Sequence, residues 1–106
     1  NVKIGKNLTL YHGQALVISN EVIIGENCVL RHSTTIGNKQ LSNGKFSKSP
    51  VIGNNVDIGS NACIIGNLFI HDNVNVGCGA VVITSINENC IAVGNPAVEK
   101  AKKNPL

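Results

Sequence analysis

A chain of 106 residues has room for one domain. Apolar residues make up 42% of it but aromatic ones only 3%, which excludes a core built on aromatic rings and leaves one of Ile, Val and Leu. The formal net charge of +3 is modest, and no basic stripe is interleaved with aromatics, so no nucleic-acid partner is expected. No signal peptide and no apolar run long enough to span a membrane can be found. Cys28, Cys63, Cys78 and Cys90 have neither CxxC nor metal-ligand spacing, which predicts free thiols, a reducing cytoplasmic setting and no metal. The chain starts at Asn1 without Met and already inside a repeat, so a native N-terminal part is expected upstream.

Residues 1–10 open the repeat with Ile4-Gly5 and Leu10. The next frame is Ile18, Ile24-Gly25, Leu30 and Ile36-Gly37, six residues apart. Leu10 and Ile18 are eight apart, so two extra residues interrupt the count within Tyr11-His12-Gly13-Gln14. A slip in a strict repeat costs stacking and points to a purpose. A larger break follows Ile36, because Ile52 is sixteen residues on. The extra segment, 38–50, is polar, carries a Ser-Asn-Gly turn signal and ends at Pro50. It predicts a protruding loop on a binding face.

From Val51 to Ile83 the repeat is unbroken. Ile52, Ile58, Ile64, Ile70, Val76 and Val82 return every sixth residue. Val56, Ala62, Leu68, Val74 and Ala80 follow the first five of them by four places. A period of six fits neither a helix nor plain strand alternation. It fits a solenoid of short strands and tight corners, three hexads to a triangular coil, with Ile52 stacked on Ile70 and Ile58 on Val76. Gly after the aliphatic residue, and Asn at positions 55, 61, 67 and 73, are expected to supply positive φ at the corners. After Val82 the repeat decays and ends in Cys90-Ile91-Ala92-Val93-Gly94-Asn95-Pro96-Ala97, where Pro96 cannot donate to a ladder. The remainder, Val98–Leu106, reads as a short helical turn or a disordered tail.

Counted as prism sides, the His12 break lies between the second and third side, and the 38–50 loop between the third side and the next coil. One prism keeps them apart. A site that uses both forms most easily between neighbouring chains, which predicts a closed ring, and a three-sided prism suits a homotrimer.

The isoleucine-rich hexads, a His in a register break and the terminal Gly-Asn-Pro-Ala together resemble the hexapeptide-repeat acyltransferases, within them most nearly the serine acetyltransferase branch. The resemblance covers nearly the whole chain, with Leu10–Ser19 standing for that branch's L-D-H-x-x-G-I-V-V-G segment, Thr35-Ile36-Gly37-Asn38 for T-L-G-G, and Lys48-Ser49-Pro50 for R-H-P. It implies an all-β, left-handed parallel β-helix over 1–106. The implied activity is acetyl-CoA-dependent O-acetyl transfer, with His12 as general base. A base with a pKa near neutrality suits removal of a hydroxyl proton.

The same resemblance places acetyl-CoA along the backbone around Gly59, Ser60, Gly77, Cys78, Gly79, Ala80, Gly94, Asn95, Pro96 and Ala97. Lys100, with Lys102 or Lys103, would meet its phosphates. Tyr11, His32, Lys48 and Ser49 fall on the acceptor side. The base's carboxylate partner in that group lies upstream of Asn1, where further residues would also pair trimers into hexamers. Two departures bear on the acceptor. Tyr11 replaces the Asp that meets serine's amino group, and Lys48-Ser49 replaces the Arg-His pair. Both argue for a neutral, hydroxyl-rich small-molecule or glycan acceptor, such as a sugar of a polysaccharide precursor. Tyr11 would stack on its ring and Ser49 would bond a hydroxyl. Serine O-acetylation in cysteine biosynthesis is the alternative. A non-catalytic scaffold is a reading of another class, and so is a metalloenzyme on the same fold, which His12, His32 and His71 do not favour by spacing.

Overall fold

The computed structural model describes residues 1–103. These form short strands joined by tight corners: β1 (Lys3–Ile4), β2 (Thr9–Tyr11), β3 (Val17–Ile18), β4 (Ile23–Ile24), β5 (Val29–Arg31), β6 (Thr35–Gly37), β7 (Val51–Ile52), β8 (Asp57–Ile58), β9 (Cys63–Ile65), β10 (Phe69–Ile70), β11 (Asn75–Val76), β12 (Val81–Val82), β13 (Cys90–Gly94) and β14 (Ala97–Ala101). Each strand pairs with the strand one coil away rather than with its neighbour in sequence. Face one is β1-β4-β7-β10, face two is β2-β5-β8-β11-β13-β14, and face three is β3-β6-β9-β12. The described pairs are parallel apart from β13–β14.

The six-residue period explains the core. Ile52 pairs with Ile70 and Ile58 with Val76, as the count predicts. Ile36, Ile64 and Val82 make the matching column of face three. These side chains are fully buried or nearly so, and each such burial contributes about 1.5–3 kcal/mol. Ile4 and Leu10 hold the same positions in the first coil but are each 48% exposed, because they are covered from one side only.

The corners divide the work differently from the expectation. Asn55, Asn61 and Asn73 do adopt φ near +60°, as do Asn27 and Asn89. Asn67 does not; Gly66 carries the positive φ (114°) at that corner instead. Apart from Gly37, the glycines after the aliphatic residue serve proximity rather than positive φ. A Cβ on Gly59 would lie 2.6 Å from the Cys78 nitrogen in the next coil, and one on Gly5 would lie 2.7 Å from the Gly25 carbonyl carbon.

The 38–50 loop leaves between β6 and β7 and folds as a small hairpin. Gln40 bridges Phe46, the Leu41 N–H donates to the Lys45 carbonyl at 2.7 Å, and Gly44 turns the tip at φ 84°. Its base is closed by Ser49, whose hydroxyl donates to the Asn20 carbonyl and lies 3.4 Å from Ser19 Oγ.

The tail corrects the sequence reading. Pro96 does end the parallel coil, but Val98–Ala101 is neither a helical turn nor disordered. Gly94 (φ 99°) reverses the chain, and β14 lies antiparallel on β13, pairing Gly94 with Ala97 and Ile91 with Lys100. Glu99 ties this strand to the last coil by accepting from the Asn87 side chain at 3.0 Å. The rest of that expectation, on 104–106, lies outside the described residues.

Candidate active site

The edge between faces two and three holds the first register break. In the second coil three residues, 32–34, separate Arg31 from Thr35; in the first, five residues, 12–16, separate their partners Tyr11 and Val17. The two additional residues put Gln14 in the slot that His32 holds one coil on, and the Gln14 carbonyl accepts from the Ser33 N–H at 2.9 Å. His12 is thereby pushed outward. It is exposed, sits in the left-handed region at φ 51°, and its carbonyl accepts from the Gln14 N–H at 2.7 Å. Such a backbone is sparsely populated for a non-glycine residue, though His tolerates it better than most. The His32 ring stands edge-on to the His12 ring, 6.4 Å between centroids.

The same edge continues in the later coils with Gly59-Ser60 and Gly77-Cys78-Gly79, at about 4.8 Å per coil. The Asn61 N–H donates to the His32 carbonyl at 3.2 Å and the Gly79 N–H to the Ser60 carbonyl at 2.9 Å, so the corners stack directly. Ser60 Oγ lies 3.7 Å from Cys78 Sγ. Val93 packs over Gly77, and the turn of Gly94, Asn95, Pro96 and Ala97 closes the column. One edge therefore unites His12, His32 and all three coenzyme segments expected from sequence.

Some expected residues lie elsewhere. The Ala80 side chain is buried in the prism, and its backbone is committed to Gly77 and Cys63, so it can only shape the corner. Lys100 is exposed on β14, while Lys102 Nζ reaches Asn75 Oδ1 at 3.2 Å. Lys48 and Ser49 stand on the other edge of face three, apart from His12 within one chain, as the sequence count requires. His71 is exposed and stacks on Phe69 at 4.5 Å. Among the described residues no three His, Cys, Asp or Glu side chains cluster as metal ligands. No helix of the described residues is long and apolar enough to cross a membrane.

Burial raises the pKa of the Cys28 thiol, and burial followed by the Glu99 carboxylate raises that of Cys90. Both cysteines are free, as are Cys63 and Cys78.

Sequence reasoning missed one pair. Arg31 Nη1 donates to Asp57 Oδ1 and to the Ile58 carbonyl at 3.2 Å, and its guanidinium stands 5.6 Å from the centre of the Tyr11 ring. The hydrogen bond to Asp57 raises the Arg31 pKa still further. The signal was hidden because the 38–50 insertion stretches the coil, placing the two partners 26 positions apart.

No family model matches the chain. It is 40% identical over 100 residues to a protein of Escherichia coli K12 named "Putative colanic acid biosynthesis acetyltransferase WcaB", covering 94% of this chain and 60% of that protein. It is 33% identical over 94 residues to the serine acetyltransferase of Synechococcus elongatus, covering 89% of this chain and 38% of the relative. The crystal structure of the Neisseria gonorrhoeae serine acetyltransferase superposes with a TM-score of 0.87 at 31% identity, over 94% of this chain and 39% of the other. The chain thus spans from under two fifths to three fifths of the proteins it matches. In sequence and fold it is similar to the hexapeptide-repeat acyltransferases, and it winds as their left-handed parallel β-helix.

Proposed function

We propose that this chain is the catalytic β-helix of an acetyl-CoA-dependent O-acetyltransferase whose acceptor is a sugar hydroxyl. The observation that carries the reading is the single edge on which an outward His, held in a register break, heads a column of small residues. The acceptor oxygen attacks the thioester carbon while the His12 imidazole takes its proton. The C–O bond forms, the C–S bond breaks, and the imidazolium returns the proton to the leaving thiolate. The N–H groups of Gly59, Gly77 and Gly79 are already spent on Val76, Ala92 and Ser60 carbonyls. They are therefore not free to meet the oxyanion, which would need another N–H donor. Gly59-Ser60, Gly77-Cys78-Gly79 and the 94–97 turn line the path of the pantetheine arm, with Lys100 near the phosphates.

The sugar reading is supported by Tyr11. This residue is 51% exposed beside the base, and its ring has a guanidinium, not a carboxylate, for a neighbour. The carboxylate beyond it, Asp57, is already paired with Arg31, so an amino acid's ammonium would have to compete with that guanidinium. The name of the Escherichia coli relative, "Putative colanic acid biosynthesis acetyltransferase", points the same way. Serine is the second reading, on the strength of the serine acetyltransferase relatives and of Lys48, which could meet a carboxylate. Ser49 gives its proton to Asn20 and can offer an acceptor only an oxygen lone pair.

Free-thiol release from acetyl-CoA, measured with L-serine and with methyl glycosides, tests the proposal. Turnover with a glycoside that falls at least about 100-fold in His12→Ala supports it. Turnover with serine alone defeats the acceptor assignment, and undiminished turnover in the variant defeats the base. The chain is further proposed to act in the cytoplasm as a homotrimer, the 38–50 hairpin of one copy reaching the His12 edge of the next. Light scattering that found a fully active monomer would refute the shared site.

A further inference from the structure

We infer that Arg31 and Asp57 form, with Tyr11, a subsite that reads adjacent hydroxyls on the acceptor's sugar ring; this rests on the sugar-acceptor reading above. Tyr11 and Arg31 are paired neighbours on β2 and β5, and each directly precedes one of the two histidines. Arg31 thus sits one coil above the residue that leads into the base. Asp57 lies opposite Val29 on β8, diagonal to Arg31. The residue directly opposite Arg31 is Gly59, which has no side chain, and the guanidinium reaches across to Asp57.

The pair is only partly shielded, the two side chains being 33% and 41% exposed. An exposed ion pair in isolation contributes little to stability, so a structural role leaves its placement beside the base unexplained. The pairing uses Nη1 and Oδ1. Nε, Nη2 and Oδ2 are what it has left to give: two donors and one acceptor at fixed spacing. Vicinal hydroxyls, each both donor and acceptor, complement that set, and charge-assisted bonds of this kind are the strong ones. The Tyr11 ring, partly covered by Arg31, keeps a face for the apolar side of a pyranose. Serine's carboxylate and ammonium could also meet Arg31 and Asp57, so L-serine is the competing ligand in the test.

The composition makes the test clean. Arg31 is the sole arginine and Tyr11 the sole tyrosine, and there is no tryptophan. The Arg31 Nε–H resonance and the intrinsic fluorescence each report one residue. The experiment titrates methyl glucopyranoside, galactopyranoside and mannopyranoside, with L-serine as control, into the whole chain while both signals are followed. Thiol release is measured in parallel for wild type, Arg31→Ala, Arg31→Lys and Asp57→Asn. At least one glycoside is expected to move both signals together, and serine neither. Arg31→Ala and Asp57→Asn should each raise that glycoside's KM about tenfold with kcat within about threefold. The KM for acetyl-CoA and the melting temperature should stay put, and Arg31→Lys should recover part of the loss. A glycoside that is turned over with no movement of either signal, or with unchanged KM in both variants, overturns the subsite and leaves the sugar reading standing. Turnover of serine alone overturns the sugar reading and the subsite with it. If no glycoside is turned over and none moves either signal, the subsite is refuted.

Discussion

The two halves of this prism differ in one respect. From Val51 to Ile83 every coil is the same length; before Val51 no two are. The regular half stacks Ile52 on Ile70, Ile58 on Val76 and Ile64 on Val82, and its corners are filled by Asn and small residues. The irregular half spends two residues to expel His12 and about ten to raise the 38–50 hairpin. Both halves share the ladder and the core columns, so the interruptions are not failures of folding. A solenoid tolerates extra residues at its corners, where they leave the ladder intact, and chemistry can be installed there at little cost to stability.

The largest effect should come from erasing the difference. Deleting Gly13 and Gln14 makes the first coil's corner as short as the second's and moves His12 into the slot His32 occupies. The fold should persist, with circular dichroism unchanged, while turnover falls at least about 100-fold, because small misplacements of a catalytic group are that costly. A substitution in the regular half should do the reverse. Ile64→Ala removes a fully buried side chain and should cost about 2–5 kcal/mol in denaturant unfolding. The equivalent change at half-exposed Ile4 should cost clearly less.

Next in size is Gly59→Ala. Its Cβ would press on the Cys78 backbone at 2.6 Å, whereas one at Gly79 would meet nothing within 4 Å. Gly59→Ala is expected to destabilise by about 1–3 kcal/mol. Gly79→Ala is strained only by its φ of 69° and should cost about 1 kcal/mol. A larger loss at Gly79 would show that φ, not coil-to-coil distance, decides where glycine is needed.

The smallest effect concerns acid. Hydrogen bonds from the Asn87 side chain and backbone lower the Glu99 pKa. A depressed carboxylate contributes its stabilisation above its unfolded value and loses it as pH falls through the folded one. Chemical shifts along β14 should therefore hold at neutral pH and move below the usual carboxylate range, before the regular coils respond. Simultaneous change in β14 and the coils would contradict this.

Much of the molecule could be read before it was seen in three dimensions. A core residue and a corner residue recur in each hexad, and both requirements are local, so the period alone yields the coil, its three faces and the columns. The same count exposes His12 as an outward residue and 38–50 as a loop on another edge. Where the reading failed, the cause was not local. Glycines such as Gly5, Gly25 and Gly59 are dictated by how near the next coil passes, a distance no single hexad reveals. The Asn67 corner passed its positive φ to Gly66, its neighbour in the same hexad. β14 folds back because β13 offers it an open edge, which a tail's composition does not announce. Arg31 and Asp57 meet diagonally because an insertion elsewhere sets the stacking register. Periodicity determined which residues are core and which are exposed; only the stacking of one coil on another decided which exposed residues meet, since that depends on distances between segments far apart in the chain.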